Sequence, residues 1–305
     1  MLITLKQALA KAEKGGYAIP AFNINNLEID QAVMEAAREL RSPIILQTSE
    51  GAIEYAGMEY LKALVYESAK GKIPVVFHLD HGKNLKLIKK AIDSGYTSVM
   101  FDGSLLDFKT NARETKKVVA WAKKRGVSVE AELGAIKGIE DLVSVAERQV
   151  FFTDPEEAKK FVDQTGIDAL AVSIGTAHGA HKFKGEAVLD ILRLKKIHAL
   201  VKKPIVLHGA SGVIRDLIEK GEKYGADFSR ALGVPDEEIT KAILNGVRKI
   251  NIDTDLRLAF TVGVRQFLME NPKEFDPRKV LSTAKLLMKE VAMRKMKLFG
   301  SAGKA

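Results

Sequence analysis

The chain contains no cysteine. That excludes a disulfide framework and any thiolate metal site, so a bound metal must take its ligands from His, Asp or Glu. No apolar run approaches the length of a membrane span. The N-terminal stretch is soon interrupted by Lys11, Glu13 and Lys14 and reads as a short amphipathic helix, a poor secretory signal. Neither a Pro/Ser-rich linker nor a low-complexity tract divides the 305 residues. One domain over 1–305 is therefore expected, in a cytoplasmic protein with no membrane contact. Basic residues interleaved with aromatics are also missing: the net charge of +9 arises from Lys and Arg mixed among acids. That pattern argues against a nucleic-acid partner and suits attraction of small anions such as sugar phosphates.

Short apolar, β-branched runs are present, near residues 18–23, 43–49, 74–81, 98–103, 128–134, 169–178, 204–209 and 247–253. Amphipathic segments lie between them, at 27–40, 58–69, 85–94, 111–125, 155–164, 187–201 and 236–244. Alternating β and α at this spacing predicts a parallel sheet with helices outside it. Eight units predict an α/β fold of the closed (β/α)8 TIM-barrel type, and runs apolar almost throughout fit strands buried on both faces. Two post-strand loops are long, at 135–153 and at 212–235 with helical 216–223 inside it. An additional C-terminal helix is expected at 279–297.

In such a barrel the active site gathers at the C-terminal ends of the strands. Polar residues at those ends are Asn23, Ser49, Asp80, His81, Asp102, Glu130, Glu132, His178, His208, Ser211, Asn251, Asp253 and Thr254. Three are histidines flanked by Gly or Asp. A lone strand-end histidine is more often structural, but three neutral imidazoles with one open position suit a catalytic divalent ion. His78, three residues before His81, should face the opposite side of its strand. His181 follows its strand and His198 sits in a helix, so neither is a ligand candidate. The segments 208–212 (HGASG) and 251–254 (NIDT) carry glycine and hydroxyl residues after the seventh and eighth runs, where such barrels hold phosphate.

Five ordered segments, 78–82 (HLDHG), 130–134 (EAELG), 175–179 (GTAHG), 208–212 (HGASG) and 251–255 (NIDTD), resemble the signatures of class II, metal-dependent ketose-bisphosphate aldolases. The likeness runs from about Pro20 to Arg278. It implies zinc, with cobalt or another divalent ion as substitutes, held by His81, His178 and His208, and a second or alternative metal position at Asp102 and Glu132. Asp80 matches the acid/base at the aldehyde oxygen, and Glu140 the residue that handles the carbon-bound proton. Gly179, Gly209, Ala210, Ser211, Asn251, Ile252, Asp253 and Thr254 match the dihydroxyacetone-phosphate site, and Ser49 a contact for the aldehyde half. Arg278 matches a position that reaches a neighbouring subunit's site, which implies a homo-oligomer, dimer or tetramer, with shared active sites.

The chemistry suits those roles. Aldol cleavage needs an electron sink beside a carbonyl, which either a Lewis-acidic metal or a Schiff-base lysine provides. No predicted strand end presents a lysine, since Lys249 precedes the mouth and Lys83 follows the His81 turn. Within the family, 251–255 resembles the fructose 1,6-bisphosphate branch, with tagatose 1,6-bisphosphate as the alternative substrate. A metal-stabilised barrel that binds a ligand or RNA without catalysis is the alternative of another class. Chelation separates these readings, because a structural ion should unfold the protein and a catalytic one should not.

Overall fold

Eight of the apolar runs become parallel strands that close on one another. The computed structural model describes residues 1–134, 137–140, 143–145, 152–178, 187–228 and 232–305, with the backbone alone described at 137–140, 143–145 and 178. In chain order the strands are β1 (Ile19–Asn23), β2 (Ile44–Thr48), β3 (Val75–Gly82), β4 (Ser98–Phe101), β5 (Ser128–Leu133), β6 (Lys137–Glu140), β7 (Val143–Val145), β8 (Ala169–Val172), β9 (Ala177–His178), β10 (Ile205–Leu207) and β11 (Val247–Ile252). The barrel runs β1-β2-β3-β4-β5-β8-β10-β11 and returns to β1, and β7-β6-β9 form a separate small sheet. The fold is a (β/α)8 TIM barrel.

Helices cover the outside. They are α1 (Leu5–Gly15), α2 (Leu27–Leu40), α3 (Glu50–Ala56), α4 (Met58–Ser68), α5 (Leu85–Ser94), α6 (Phe108–Lys123), α7 (Pro155–Thr165), α8 (Ile191–Val201), α9 (Arg215–Lys223), α10 (Asp236–Leu244), α11 (Thr254–Glu270), α12 (Pro277–Val280) and α13 (Ser282–Leu298). Their starts are written in the sequence: Asn26, Asn84, Asp107 and Asp154 each accept a backbone N–H of the first turn. No described helix is long and apolar enough to cross a membrane.

Period-two alternation sorts the strand residues onto two faces. Phe22, Leu46, Phe77, Val99, Leu170 and Ile250 point outward and pack with the helices in one large core. Ile19, Ala21, Ile45, Val76, Ala171 and Val206 line the lower lumen and pack against Leu5, Ala8, Leu9 and Ala12 of α1. Thus α1, held at its start by a Thr4 capping box, closes the N-terminal end of the barrel. Burying Leu5 and Leu9 there contributes about 1.5–3 kcal/mol each.

Three expectations need correction. The run 169–178 is not one strand: β8 stops at Val172, and β9 pairs with β6 outside the barrel. Gly175 breaks the run at φ +114°, where a Cβ would also lie 2.9 Å from the Val188 carbonyl oxygen. The loop 135–153 carries the β6–β7 hairpin. The C-terminal helix begins later than 279, at Ser282, because Ser282 Oγ donates to the Lys279 carbonyl at 2.6 Å and ends α12.

Candidate active site

Above the apolar floor the lumen face turns polar. Alternation along β3 carries His78 and Asp80 inward, β5 carries Glu130 and Glu132, and β11 carries Lys249 and Asn251. All six are buried. Asp80 is gripped by three amides: Asn23 Nδ2 and Gln47 Nε2 donate to Oδ2 at 3.0 and 3.1 Å, and Asn251 Nδ2 to Oδ1 at 2.9 Å. Those donors fix the orientation of its carboxylate at the mouth.

His81 joins the same cluster because the alternation fails at this point. Its backbone adopts φ +46°, a left-handed conformation unusual for a residue with a Cβ, and the β3–β4 register shifts between Leu79 and Gly82. His78 and His81 therefore both reach the lumen, contrary to the alternation argument. His78 bonds Ser98 Oγ at 2.8 Å with its Nδ1. Burial, and then the Lys249 ammonium, hold its pKa well below the ordinary value.

His81 and His208 meet edge to face, with Nε2 of the first 2.8 Å from Nδ1 of the second. Each ring's other nitrogen faces a carboxylate: His81 Nδ1 donates to Asp102 Oδ2 at 3.0 Å, and His208 Nε2 to Glu130 Oε1 at 2.7 Å. Because a carboxylate accepts, these bonds fix both tautomers and aim two ring nitrogens at one point. Lys249, fully buried, holds Glu130 Oε2 at 3.0 Å.

The field at this point asks for positive charge. Burial disfavours a charged His81, but Asp80, Asp102 and Glu132 outweigh it and raise its pKa to about 10. Burial alone would raise Asp102, yet its bond to His81 holds it below the usual carboxylate range. Burial and the nearby Asp102 push Glu132 well above it, and Glu132 Oε2 is buried without a hydrogen-bond partner. Among the described residues two sets of donor atoms, Asp80–His81–His208 and His81–Asp102–Glu132, each lie within 4.8 Å of one another. Converging imidazoles, surplus carboxylate and an orphaned buried oxygen fit a divalent cation.

The structure thus brings together Asp80, His81, Asp102, Glu132, His208 and Asn251. The side chains of His178 and Glu140 and the whole of Gly179 lie outside the described residues. The backbone of β9 nevertheless passes beside the His208 loop, since a Cβ on Gly209 would stand 2.7 Å from the Ala177 carbonyl carbon. Gly209 (φ +60°), Ala210 and Ser211 form a buried turn after β10. Asp253 pairs with Arg257 at 2.8 Å, Thr254 opens α11, and Ile252 faces the outer core. Ser49 caps α3 by accepting from Ala52 N at 3.1 Å. Arg278 stands apart, exposed on α12 and paired with Asp276 at 2.8 Å.

Sequence reasoning passes over Gln47, sets Lys249 aside because it precedes the mouth, and gives Glu130 no role. The signal was available: each sits two residues below, or pairs across from, a mouth residue on the same strand face.

A (β/α)8 barrel with a buried, carboxylate-backed cation site at its mouth defines a metal-dependent barrel enzyme. Residues 3–304 match the family described as fructose-bisphosphate aldolase class-II, and the chain belongs to that family. It is 50% identical to the fructose-bisphosphate aldolase of Thermus caldophilus over 305 residues, all of both chains. The fructose-bisphosphate aldolase of Giardia intestinalis is 49% identical, with 100% of this chain and 94% of that one covered. Among solved structures, the YdjI aldolase of Escherichia coli K12 is 33% identical with a TM-score of 0.80, covering 100% of each chain.

Proposed function

We propose that this protein catalyses the reversible aldol cleavage of fructose 1,6-bisphosphate to dihydroxyacetone phosphate and glyceraldehyde 3-phosphate, as a cytoplasmic enzyme of sugar breakdown and synthesis. The observation that carries the reading is the pair of facing nitrogens, His81 Nε2 and His208 Nδ1, each ring braced by a carboxylate behind it. With His178 they would hold zinc, and Asp102 and Glu132 beside His81 Nδ1 would offer a second or alternative position. The ion, when bound, supplies a Lewis acid beside the ketose carbonyl.

The remaining work falls to the chain. Asp80 takes the proton from the substrate's C4 hydroxyl as the C3–C4 bond breaks, and returns it in the condensation direction. Glu140 delivers a proton to C3 of the dihydroxyacetone half. Each transfer is worth about 10²–10⁴ in rate. The turn Gly209–Ser211, with Gly179 and the segment Asn251–Thr254, holds the phosphate of that half, and Ser49 contacts the aldehyde half. The distal phosphate needs its own cation. Arg278, exposed on α12 beside Asp276, supplies a bidentate guanidinium to a neighbouring subunit, so the working form is a homo-oligomer.

One series of assays tests this. Fructose 1,6-bisphosphate is expected to be cleaved in preference to tagatose 1,6-bisphosphate, with turnover lost on chelation, helical content retained, and activity restored by zinc or cobalt. Activity surviving exhaustive chelation, or a borohydride-trapped imine, would sink the metal route; absence of cleavage altogether would favour a binding barrel. In the same assay, Arg278→Ala mixed with His208→Ala subunits is expected to recover activity at hybrid sites. No recovery in demonstrated hybrids removes the shared site.

A further inference from the structure

The C-terminal helix lies outside the eight-unit barrel repeat, yet one of its side chains reaches the loop after β10. Lys295 of α13 is 2% exposed, and its Nζ lies 2.9 Å from Asp255 Oδ2. Asp255, in the first turn of α11, is fully buried. Its carboxylate accepts from the backbone N–H of Gly212 at 3.0 Å through Oδ2 and of Val213 at 2.7 Å through Oδ1. A Cβ built on Gly212 would stand 2.8 Å from Lys295 Nζ, so the ammonium also lies against the loop backbone.

We propose that Lys295 is a positioning residue for the substrate's phosphate, acting through Asp255 on the loop 209–213. The inference rests on the reading of that loop as the phosphate site.

Two physical needs meet at this ion pair. The first is conformational. Val213 holds φ +49°, which a Cβ-bearing residue does not adopt unaided, and Gly209 holds φ +60° at the other end of the turn. The Asp255 carboxylate spans the two amides next to that strained residue and keeps the turn in one shape. The second is electrostatic. A buried carboxylate directly beneath a phosphate loop would repel the incoming dianion, and little solvent is there to screen it. Lys295 cancels that charge, so Asp255 can brace the loop without opposing the ligand.

Dihydroxyacetone phosphate binding to the metal-loaded enzyme, followed by calorimetry, reads this directly, with metal content and thermal midpoint measured on the same samples. Lys295→Met is expected to weaken binding, and to raise KM for fructose 1,6-bisphosphate, by about tenfold or more, while kcat at saturation changes by less than about threefold. Lys295→Arg, which keeps the charge, is expected to restore affinity to within about threefold of wild type. Metal content is expected to be unchanged in both. A lowered thermal midpoint with unchanged affinity in Lys295→Met would overturn the proposal, leaving Lys295 a purely structural residue. Failure of the Arg variant to restore affinity would overturn it as well.

If Lys295→Met does not fold, because it strands the buried Asp255 charge, Asp255→Asn/Lys295→Met removes both charges and takes its place. The Asn oxygen can accept two neighbouring amides, as Asn84 Oδ1 does from Lys86 and Leu87. With both charges gone, affinity is therefore expected to stay within about threefold of wild type, and a loss of about tenfold there with an unchanged thermal midpoint overturns the proposal. Ser211→Ala separates the two readings. Unchanged affinity there means the loop is not the phosphate site; weakened affinity there with unchanged Lys295→Met leaves the site standing and discards Lys295.

Discussion

Between His81 Nε2 and His208 Nδ1, 2.8 Å apart, there is room for a proton. With the three carboxylates around it, metal-free His81 keeps its extra proton up to about pH 10 and donates it to His208. A divalent ion needs that same lone pair, so loading must expel the proton. Ion binding near pH 7 is expected to release at least about one proton, and apparent affinity to climb about tenfold per pH unit through the neutral range. Calorimetric titration of the apoprotein in two buffers of different ionisation enthalpy measures it. Binding at pH 7 without proton release would show that His81 is already neutral. Much of this cluster was legible in the sequence, because Asp80, His81, His208 and Asn251 end apolar runs. What escaped was one backbone angle. Strict alternation put His78 and His81 on opposite faces, and the left-handed conformation at His81 reunited them. Lys249 was discounted for preceding the mouth, although two residues below Asn251 is the same lumen face.

At the scale of the element, α2 carries a carboxylate in an unfavourable place. Asp30, in its first turn, is 1% exposed; it accepts from Ser68 of α4 through Oδ2, while Oδ1 is buried without a partner. Burial raises its pKa to about 6, despite the Ser68 bond and the Arg38 charge. Its folded value lies above its unfolded one, so the fold binds the proton more tightly. The associated stability is complete below about pH 4 and lost as pH rises through about 6. Above that window the ionised group costs about 2–3 kcal/mol, from about two pKa units at 1.36 kcal/mol each. Asp30→Asn is expected to stabilise the protein by about 1–3 kcal/mol at pH 8 and hardly at all at pH 4. Chemical denaturation at the two pH values checks it, and equal midpoints for wild type and variant at pH 8 would remove the argument. Element boundaries were legible where a capping residue preceded a helix, as at Asn26 and Asp154. They were not legible at 169–178, where an unbroken apolar run hid the turn at Gly175, nor at α3, whose seven residues are too few for a helical pattern.

The whole molecule places its polar cluster in a tube stoppered from below. Leu5, Ala8, Leu9 and Ala12 of α1 meet the lower lumen residues, and several of these side chains are entirely buried. Among the described residues that end is filled, so ion, sugar and water are expected to share the rim after the strands. That turns occupancy into an order of arrival: the cation enters before the sugar phosphate and departs after it, and a bound ligand serves as a cork. Inactivation by a chelator is expected to slow in proportion to the fraction of sites filled by dihydroxyacetone phosphate, approaching a standstill at saturation. Time courses at graded ligand concentrations measure it, and a rate indifferent to ligand would mean a second exit. A cell short of the metal would then lose activity first from its idle copies, and flux itself would protect the working ones.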